Sequence, residues 1–292
     1  MRILNITIFY FSGTGNTWWV SNKIKEQLEQ RGHSVKLISI EKENIDWENF
    51  IKNTLDECDA IGIGHPVYSS DIPEIMQKWI KEILCPLSSK FKKAKSKELR
   101  AFVFDTMAYF SGDTPLITKK LLKKCGFKVR QAINIRMLGN ISLIPMLMVW
   151  DEKKKEKIFH KAEKKISKLV DKIIEDEKWL MRRDPFSRLI GWTQRVGFKL
   201  TKNSFRKHFI IDEEHCNLCG LCIKFCPVKN LKLEKSEDKE KITYGSDCIF
   251  CLRCFNNCPQ NAILFYEKTK DTKKYRRFRD QIPNFKLKYV KN

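Results

Sequence analysis

No stretch of this chain stays apolar for the roughly 18–20 residues that a membrane-crossing helix requires. The longest apolar run, residues 141–150, is interrupted by Pro145, so no membrane span is expected. The opening residues lack the charged, apolar and small-residue regions of a secretory leader. Met1-Arg2 leads straight into an alternating strand pattern, which predicts a cytoplasmic protein. Low-complexity segments are missing too. Acid is scarce relative to base: 57 Lys and Arg face 35 Asp and Glu, for a formal net charge of +22. A lysine-rich solvated surface accounts for much of that excess. A field of this sign also steers acidic redox proteins, nucleic acid or anionic membranes toward the chain.

What is present suffices for a core. The 292 residues are 42% apolar, enough for one large or two modest domains. Over the first 135 residues strand and helix patterns alternate. Strands are predicted at 3–11, 34–40, 58–64, 100–105 and 127–135, with helices at 17–30, 73–84 and 113–125. A long amphipathic helix is predicted at 151–178. Such alternation implies an α/β fold, a doubly wound five-stranded parallel sheet with helices on both faces. The basic stretch 88–97 reads as a surface insertion. The apolar, irregular stretch 137–150 reads as a lid, a docking surface or core packing. The predicted division is a sheet domain at 1–178, a basic linker arm at 179–211, a small α+β cysteine module at 212–266 and a basic tail at 267–292.

Eleven cysteines in a reducing compartment argue for metal ligation over disulfides. Eight of them form two runs, Cys216-x-x-Cys219-x-x-Cys222-x-x-x-Cys226-Pro227 and Cys248-x-x-Cys251-x-x-Cys254-x-x-x-Cys258-Pro259, offset by 32 residues. Three thiolates spaced by two residues wrap one iron–sulfur cubane, and the fourth, carried off by the proline turn, reaches the other cluster. The expected ligands are therefore Cys216, Cys219, Cys222 and Cys258 for one 4Fe–4S cluster, and Cys248, Cys251, Cys254 and Cys226 for the second. Structural zinc, the competing reading, uses two pairs with a longer gap between them. The module resembles bacterial-type two-cluster ferredoxins, and Phe209, Ile211, Tyr244, Asn230-Leu231 and Asn261-Ala262-Ile263 share in the resemblance. Cys58, Cys85 and Cys125 lie apart in apolar surroundings and read as buried, inert thiols.

Between the first strand and the first helix stands Ser12-Gly13-Thr14-Gly15-Asn16-Thr17. No lysine follows the second glycine, as a Walker loop demands, and Trp18 stands where G-x-G-x-x-G needs glycine. Backbone N–H groups at a helix start, with Ser and Thr hydroxyls, suit a phosphate monoester held without cationic side chains. An ordinary capped strand-to-helix turn is the alternative. The stretch matches the FMN phosphate loop of flavodoxins. That resemblance implies a flavodoxin-like sheet with FMN beside the first strand and further contacts from the loops after strands three and four. The candidates are Pro66, Val67, Tyr68 and Ser69 in the first loop, and Thr106, Met107, Ala108, Tyr109, Gly112 and Asp113 in the second. Tyr68 and Tyr109 are the rings suited to the isoalloxazine; His65 reads as structural. Residues 65–71, HPVYSSD, contain no glycine, a departure from many flavodoxins. Trp18 and Trp19 follow the loop, one of them a candidate cover for the cofactor or for a neighbouring domain.

Taken whole, the chain is similar to the flavodoxin–ferredoxin fusion proteins of anaerobic bacteria and archaea. The resemblance implies an iron–sulfur flavoprotein passing electrons between low-potential clusters and FMN. It would serve as carrier or reductase component for an acidic redox protein or redox enzyme. A self-contained flavin-dependent reductase of a small substrate is the alternative. A third reading, a cluster-bearing nucleic-acid-binding sensor, draws on the tail, where Tyr275, Phe278, Phe285 and Tyr289 are interleaved with Lys and Arg. No second nucleotide site is present, so a nicotinamide donor is not indicated. Coupling of flavin and clusters within one chain, or across a homodimer, is left open.

Overall fold

The computed structural model describes residues 2–95, 98–144, 148, 150–235 and 240–291. Part of the 137–150 stretch, residues 145–147 and 149, lies outside them. Strand β1 (Asn5–Tyr10) sets the layout by alternation: Ile6 and Ile8 point to one face and Phe9 to the other. It sits inside a parallel sheet with β2 (Ser34–Ser39), β3 (Ala60–Pro66), β4 (Leu99–Met107), β5 (Phe127–Arg136) and β6 (Trp179–Leu180), in the order β2-β1-β3-β4-β5-β6.

Helices α1 (Asn16–Glu29) and α6 (Glu152–Ile174) cover one face, where Val20, Ile24, Leu28, Ile166 and Leu169 meet Ile6, Ile8, Phe102, Phe104 and Ile133. Helices α2 (Trp47–Glu57), α3 (Glu74–Trp79), α4 (Cys85–Lys95) and α5 (Thr114–Lys124) cover the other, with Leu55, Met76, Trp79 and Leu122 on Phe9, Ile63 and Val103. Each such buried side chain contributes about 1.5–3 kcal/mol of transfer free energy. The fold is the α/β doubly wound one expected, with a sixth strand. Trp179–Leu180 pairs with Gln131 and Ala132 at the sheet edge, too short a segment to carry a period of its own. Helix α2, absent from the predicted elements, is capped by Asp46, whose carboxylate accepts from the Asn49 N–H at 3.2 Å. Residues 88–95 continue α4 instead of forming a surface insertion.

One cysteine reading is corrected. Cys85 and Cys125 form a disulfide, with Cα atoms 4.5 Å apart, and are not inert thiols. The start of α4 and the end of α5 border the same edge of the core, and the Ser88 hydroxyl spans the Cys85 and Cys125 carbonyls. Cys58 is buried.

The stretch 179–211, expected as a linker arm, contains β6 and a 22-residue helix, α7 (Pro185–Arg206). Asp184 caps α7 by accepting from the Ser187 N–H at 2.7 Å, and proline occupies its first position. Beyond it, β7 (Phe209–Ile211) pairs antiparallel with β10 (Ile263–Phe265), and β8 (Leu231–Lys235) with β9 (Glu240–Tyr244). Two short helices, α8 (Leu221–Phe225) and α9 (Arg253–Asn257), complete the module. The 32-residue repeat recurs in the backbone: Leu218, Gly220 and Lys229 have positive φ, and so do Phe250, Leu252 and Asn261. The tail then returns to the sheet domain. Phe278 and Ile282 join the α1/α6 core, and the Ser39 hydroxyl donates to the Val290 carbonyl at 2.6 Å. No described helix is long and apolar enough to cross a membrane.

Candidate functional site

The loop from Ser12 to Thr17 turns at Gly15, whose φ of 103° is open to glycine at little cost. Helix α1 begins at Asn16. The Ser12 hydroxyl oxygen accepts from the Gly15 and Trp18 N–H groups, each at 3.2 Å, and so closes the loop on itself. Thr17 Oγ1 lies 2.8 Å from Thr106 Oγ1. Thr14 Oγ1 accepts from Asn140 Nδ2 at 2.9 Å, which leaves its hydroxyl proton for a ligand.

A cavity of about 670 Å³ opens beside this loop. Of the expected residues, Ser12, Gly13, Thr14, Asn16, Thr17, Pro66, Val67, Tyr68, Ser69, Thr106, Met107, Ala108 and Tyr109 line it, and no charged side chain does among the described residues. Gly15 instead faces the Phe285 ring. Gly112 and Asp113 lie outside: Gly112 packs on Gly191 of α7, and the Asp113 carboxylate pairs with Arg195 at 2.7 Å. Ser69 and Ser70, with φ of 50° and 57°, take the left-handed turn that glycine would favour. Paired backbone bonds between Tyr68 and Asp71, at 3.1 and 3.0 Å, close that turn. His65 is fully buried between Thr118 Oγ1 and the Pro66 carbonyl, each at 2.9 Å. Burial lowers its pKa to about 4, so it stays neutral, and it does not line the cavity.

The donor set fits a flavin mononucleotide. The Tyr68 hydroxyl and Asn16 Oδ1 are buried without hydrogen-bond partners among the described residues; a ligand bearing phosphate and hydroxyls would satisfy both. Burial also pushes the Tyr68 hydroxyl well above its ordinary pKa, keeping it a donor. Tyr109, by contrast, stands largely exposed at the mouth, with the Arg136 guanidinium 5.5 Å from its ring centroid.

The far wall comes from the other half of the chain. Phe250 and Leu252, interleaved with cluster cysteines, line the cavity with Phe265, Tyr266 and the α7 residues Phe198 and Phe205. A Cβ on Gly13 would stand 2.8 Å from the Cys251 carbonyl oxygen and 2.7 Å from the Tyr68 hydroxyl, so only glycine admits this approach. Beside it, Arg253 uses all five of its N–H donors: Nε to Gly13 O at 3.1 Å, Nη2 to Ser12 O at 2.8 Å, Nη1 to Phe225 O at 2.8 Å, and both terminal nitrogens to Glu41 at 2.8 and 2.7 Å. The Arg253 and Glu41 side chains are 1% and 3% exposed. A planar fork that stays charged suits this clamp, and lysine would not reproduce it. Sequence reasoning missed Arg253, Glu41 and Asn140.

Two smaller cavities lie in the cysteine module. Cys216, Cys219, Cys222 and Cys258 line one, which Cys254 also borders; Cys226, Cys248, Cys251 and Cys254 line the other. Each brings together the four thiols of one expected set, a donor set suited to an iron–sulfur cubane. Burial pushes the Cys222 and Cys248 thiols up to about 11 and Cys251 to about 12. Thiols so held are weak nucleophiles and ionise on binding a metal. The Asn230 and Phe250 N–H groups donate to Cys226 Sγ and Cys248 Sγ at 3.2 and 3.4 Å, contacts of the kind that tune a cluster's potential.

The two tryptophans have separate duties. Trp19 packs on Phe159 of α6 at 4.8 Å between ring centroids. Trp18 holds the tail, stacking on Tyr289 at 5.5 Å and meeting Phe285 at 5.4 Å. Tyr275 and Phe278 are buried. The aromatic set that a nucleic-acid reading requires is thus engaged within the chain.

Comparison with known proteins finds two family matches within the chain. Residues 7–92 match the flavodoxin domain family and residues 208–259 the 4Fe-4S dicluster domain family. An uncharacterised ferredoxin of Methanocaldococcus jannaschii is 39% identical over 56 residues, 19% of this chain and 73% of that one. An uncharacterised protein of the same organism is 36% identical over 64 residues, and there the chain spans only 23% of the relative's length. Among solved structures, an archaeal flavodoxin aligns over 57% of this chain and 99% of its own with a TM-score of 0.39 and 17% identity.

Proposed function

The chain is a flavodoxin–ferredoxin fusion whose cysteine module belongs to the 4Fe–4S dicluster ferredoxins, and on that premise we propose that it carries electrons between two 4Fe–4S clusters and FMN for a partner redox protein. The observation that carries the reading is the contact of Cys251 with Gly13, which sets a cluster ligand against the phosphate loop. Bound in these places, the clusters supply one-electron transfer and the FMN a group that exchanges one or two electrons.

The residues divide the work. Backbone N–H groups at the start of α1, with the Thr14 hydroxyl, would hold the phosphate without a cationic side chain. Phe250, Leu252, Phe198 and Phe205 would keep water from the ring system. Cys226, Cys248, Cys251 and Cys254 would hold the cluster nearer the flavin. Cys216, Cys219, Cys222 and Cys258 would hold the outer one, and the exposure of Cys219 gives a partner its approach there. The net charge of +22 favours an acidic partner.

An anaerobic titration of the cofactor-loaded protein tests the proposal. Reduction of the clusters by a low-potential donor is expected to bleach the flavin band. A flavin that stays oxidised beside reduced clusters, with measured potentials that permit transfer, would sink it.

A further inference from the structure

Helix α7 carries an apolar stripe on its outward side. Phe186, Leu189, Trp192, Val196 and Leu200 follow one another at steps of three and four residues, which puts them on one face. That face is turned to solvent, with exposures between 37% and 79%. The inner face mixes small, aromatic and polar residues, with Phe198 and Phe205 turned to the flavin cavity. Ser187 and Gly191 are its buried residues, Arg195 donates to the Ser70 carbonyl and pairs with Asp113, and Lys202 pairs with Glu74. An exposed apolar stripe of this length marks an interaction surface.

Charge decides what covers it. Helix α7 contains five Lys and Arg and no Asp or Glu. Arg188 and Lys199 are exposed beside the apolar stripe, with Arg183 and Lys207 exposed at the helix ends. A second copy would bring two cationic helices, and two chains of net charge +22, face to face, which Coulomb repulsion opposes. A bilayer surface with anionic headgroups complements both halves of the pattern: cations meet phosphates while Phe, Trp and Leu enter the acyl boundary. We infer that α7 seats the protein on an anionic phospholipid surface, lying on the bilayer and not crossing it. Phe198 on the same helix lines the flavin cavity, so the seated helix is the partition between that cavity and the headgroups.

Vesicle co-sedimentation of the full, cofactor-loaded chain tests this, using equal parts phosphatidylcholine and phosphatidylglycerol against phosphatidylcholine alone. Binding is expected to the mixed vesicles only, and to fall as salt rises. The variant Leu189→Ser/Trp192→Ser/Leu200→Ser should bind roughly tenfold more weakly or worse, and Arg188→Gln/Lys199→Gln should lose affinity with a shallower salt dependence. Retained flavin and iron content shows that each variant is folded. Three outcomes overturn the inference: no binding to the mixed vesicles at low salt, equal binding by the triple serine variant, or a wild-type dimer in sedimentation that this variant converts to monomer.

Discussion

Thr14 is placed to give its proton away. Asn140 already occupies its oxygen as an acceptor, so the hydroxyl hydrogen is directed toward the cavity contents. Thr14→Val keeps the shape and removes that donor. FMN binding is expected to weaken by about 1–3 kcal/mol, the range for a hydrogen bond to a charged group, read by titrating flavin fluorescence; an unchanged affinity would count against the loop as the phosphate site. The residues of this loop and the eight cysteines were legible in the sequence because each set is contiguous or regularly spaced, so local chemistry suffices to name them. Arg253 was not. Its partners Ser12 and Glu41 lie 241 and 212 positions away, and an arginine between two cysteines reads as a solvated charge. Leu252 carries a subtler signal. It takes the left-handed conformation that Gly220 supplies in the first repeat, at about 1–2 kcal/mol for a residue with a Cβ, and its side chain lines the flavin cavity.

At the scale of elements, the periodic segments of the central sheet layer were read well, whereas α2 was passed over and α7 was taken for a linker arm. The central strands and helices α1, α5 and α6 show their apolar spacing plainly. The two-residue β6 shows none. In α7 the period is clear, but it does not say whether the apolar face looks in or out; the contacts of Arg195 and Lys202 with Asp113 and Glu74 decide that. The disulfide joins positions 40 residues apart, a proximity that only the packing of α4 on the core creates. The tail was read as a basic extension, because nothing local reveals that Phe285 and Tyr289 have Trp18 as their partner. Removing both rings, Phe285→Ala/Tyr289→Ala, is expected to cost about 2–3 kcal/mol, less than fully buried aromatics cost. Denaturant unfolding of the apoprotein measures it. FMN affinity should fall as well, since the ring of Phe285 presses on Gly15; full stability and full affinity in that variant would show the tail to be incidental.

For the molecule as a whole, the cavity proposed for the flavin belongs to neither half alone. Loop residues of the sheet domain make one side, and Phe250, Leu252, Phe265 and Tyr266 of the cysteine module make the other. Cys226→Ala should therefore have two effects. On the proposed ligation it removes a ligand from the cluster beside the flavin, so paramagnetic resonance should lose the signal of that cluster and keep the one assigned to Cys216, Cys219, Cys222 and Cys258. It should also weaken FMN binding, because the segment carrying Phe250 and Leu252 loses the metal that orders it. Loss of only the sequence-adjacent cluster, or FMN binding indifferent to iron content, would contradict the arrangement.

The strap formed by the tail adds a schedule to the life of the protein. Gly15 leaves the ribosome 270 residues ahead of Phe285, which at roughly 5–20 residues per second is about 15–50 s. Through that interval the nascent sheet can collapse, yet the outer side of its phosphate turn is bare and the ring-covering wall has not been made. Flavin captured early would be held by half a binding site. Firm retention of flavin would then wait on the tail, and a chain nicked upstream of Phe285 is expected to hold FMN more weakly.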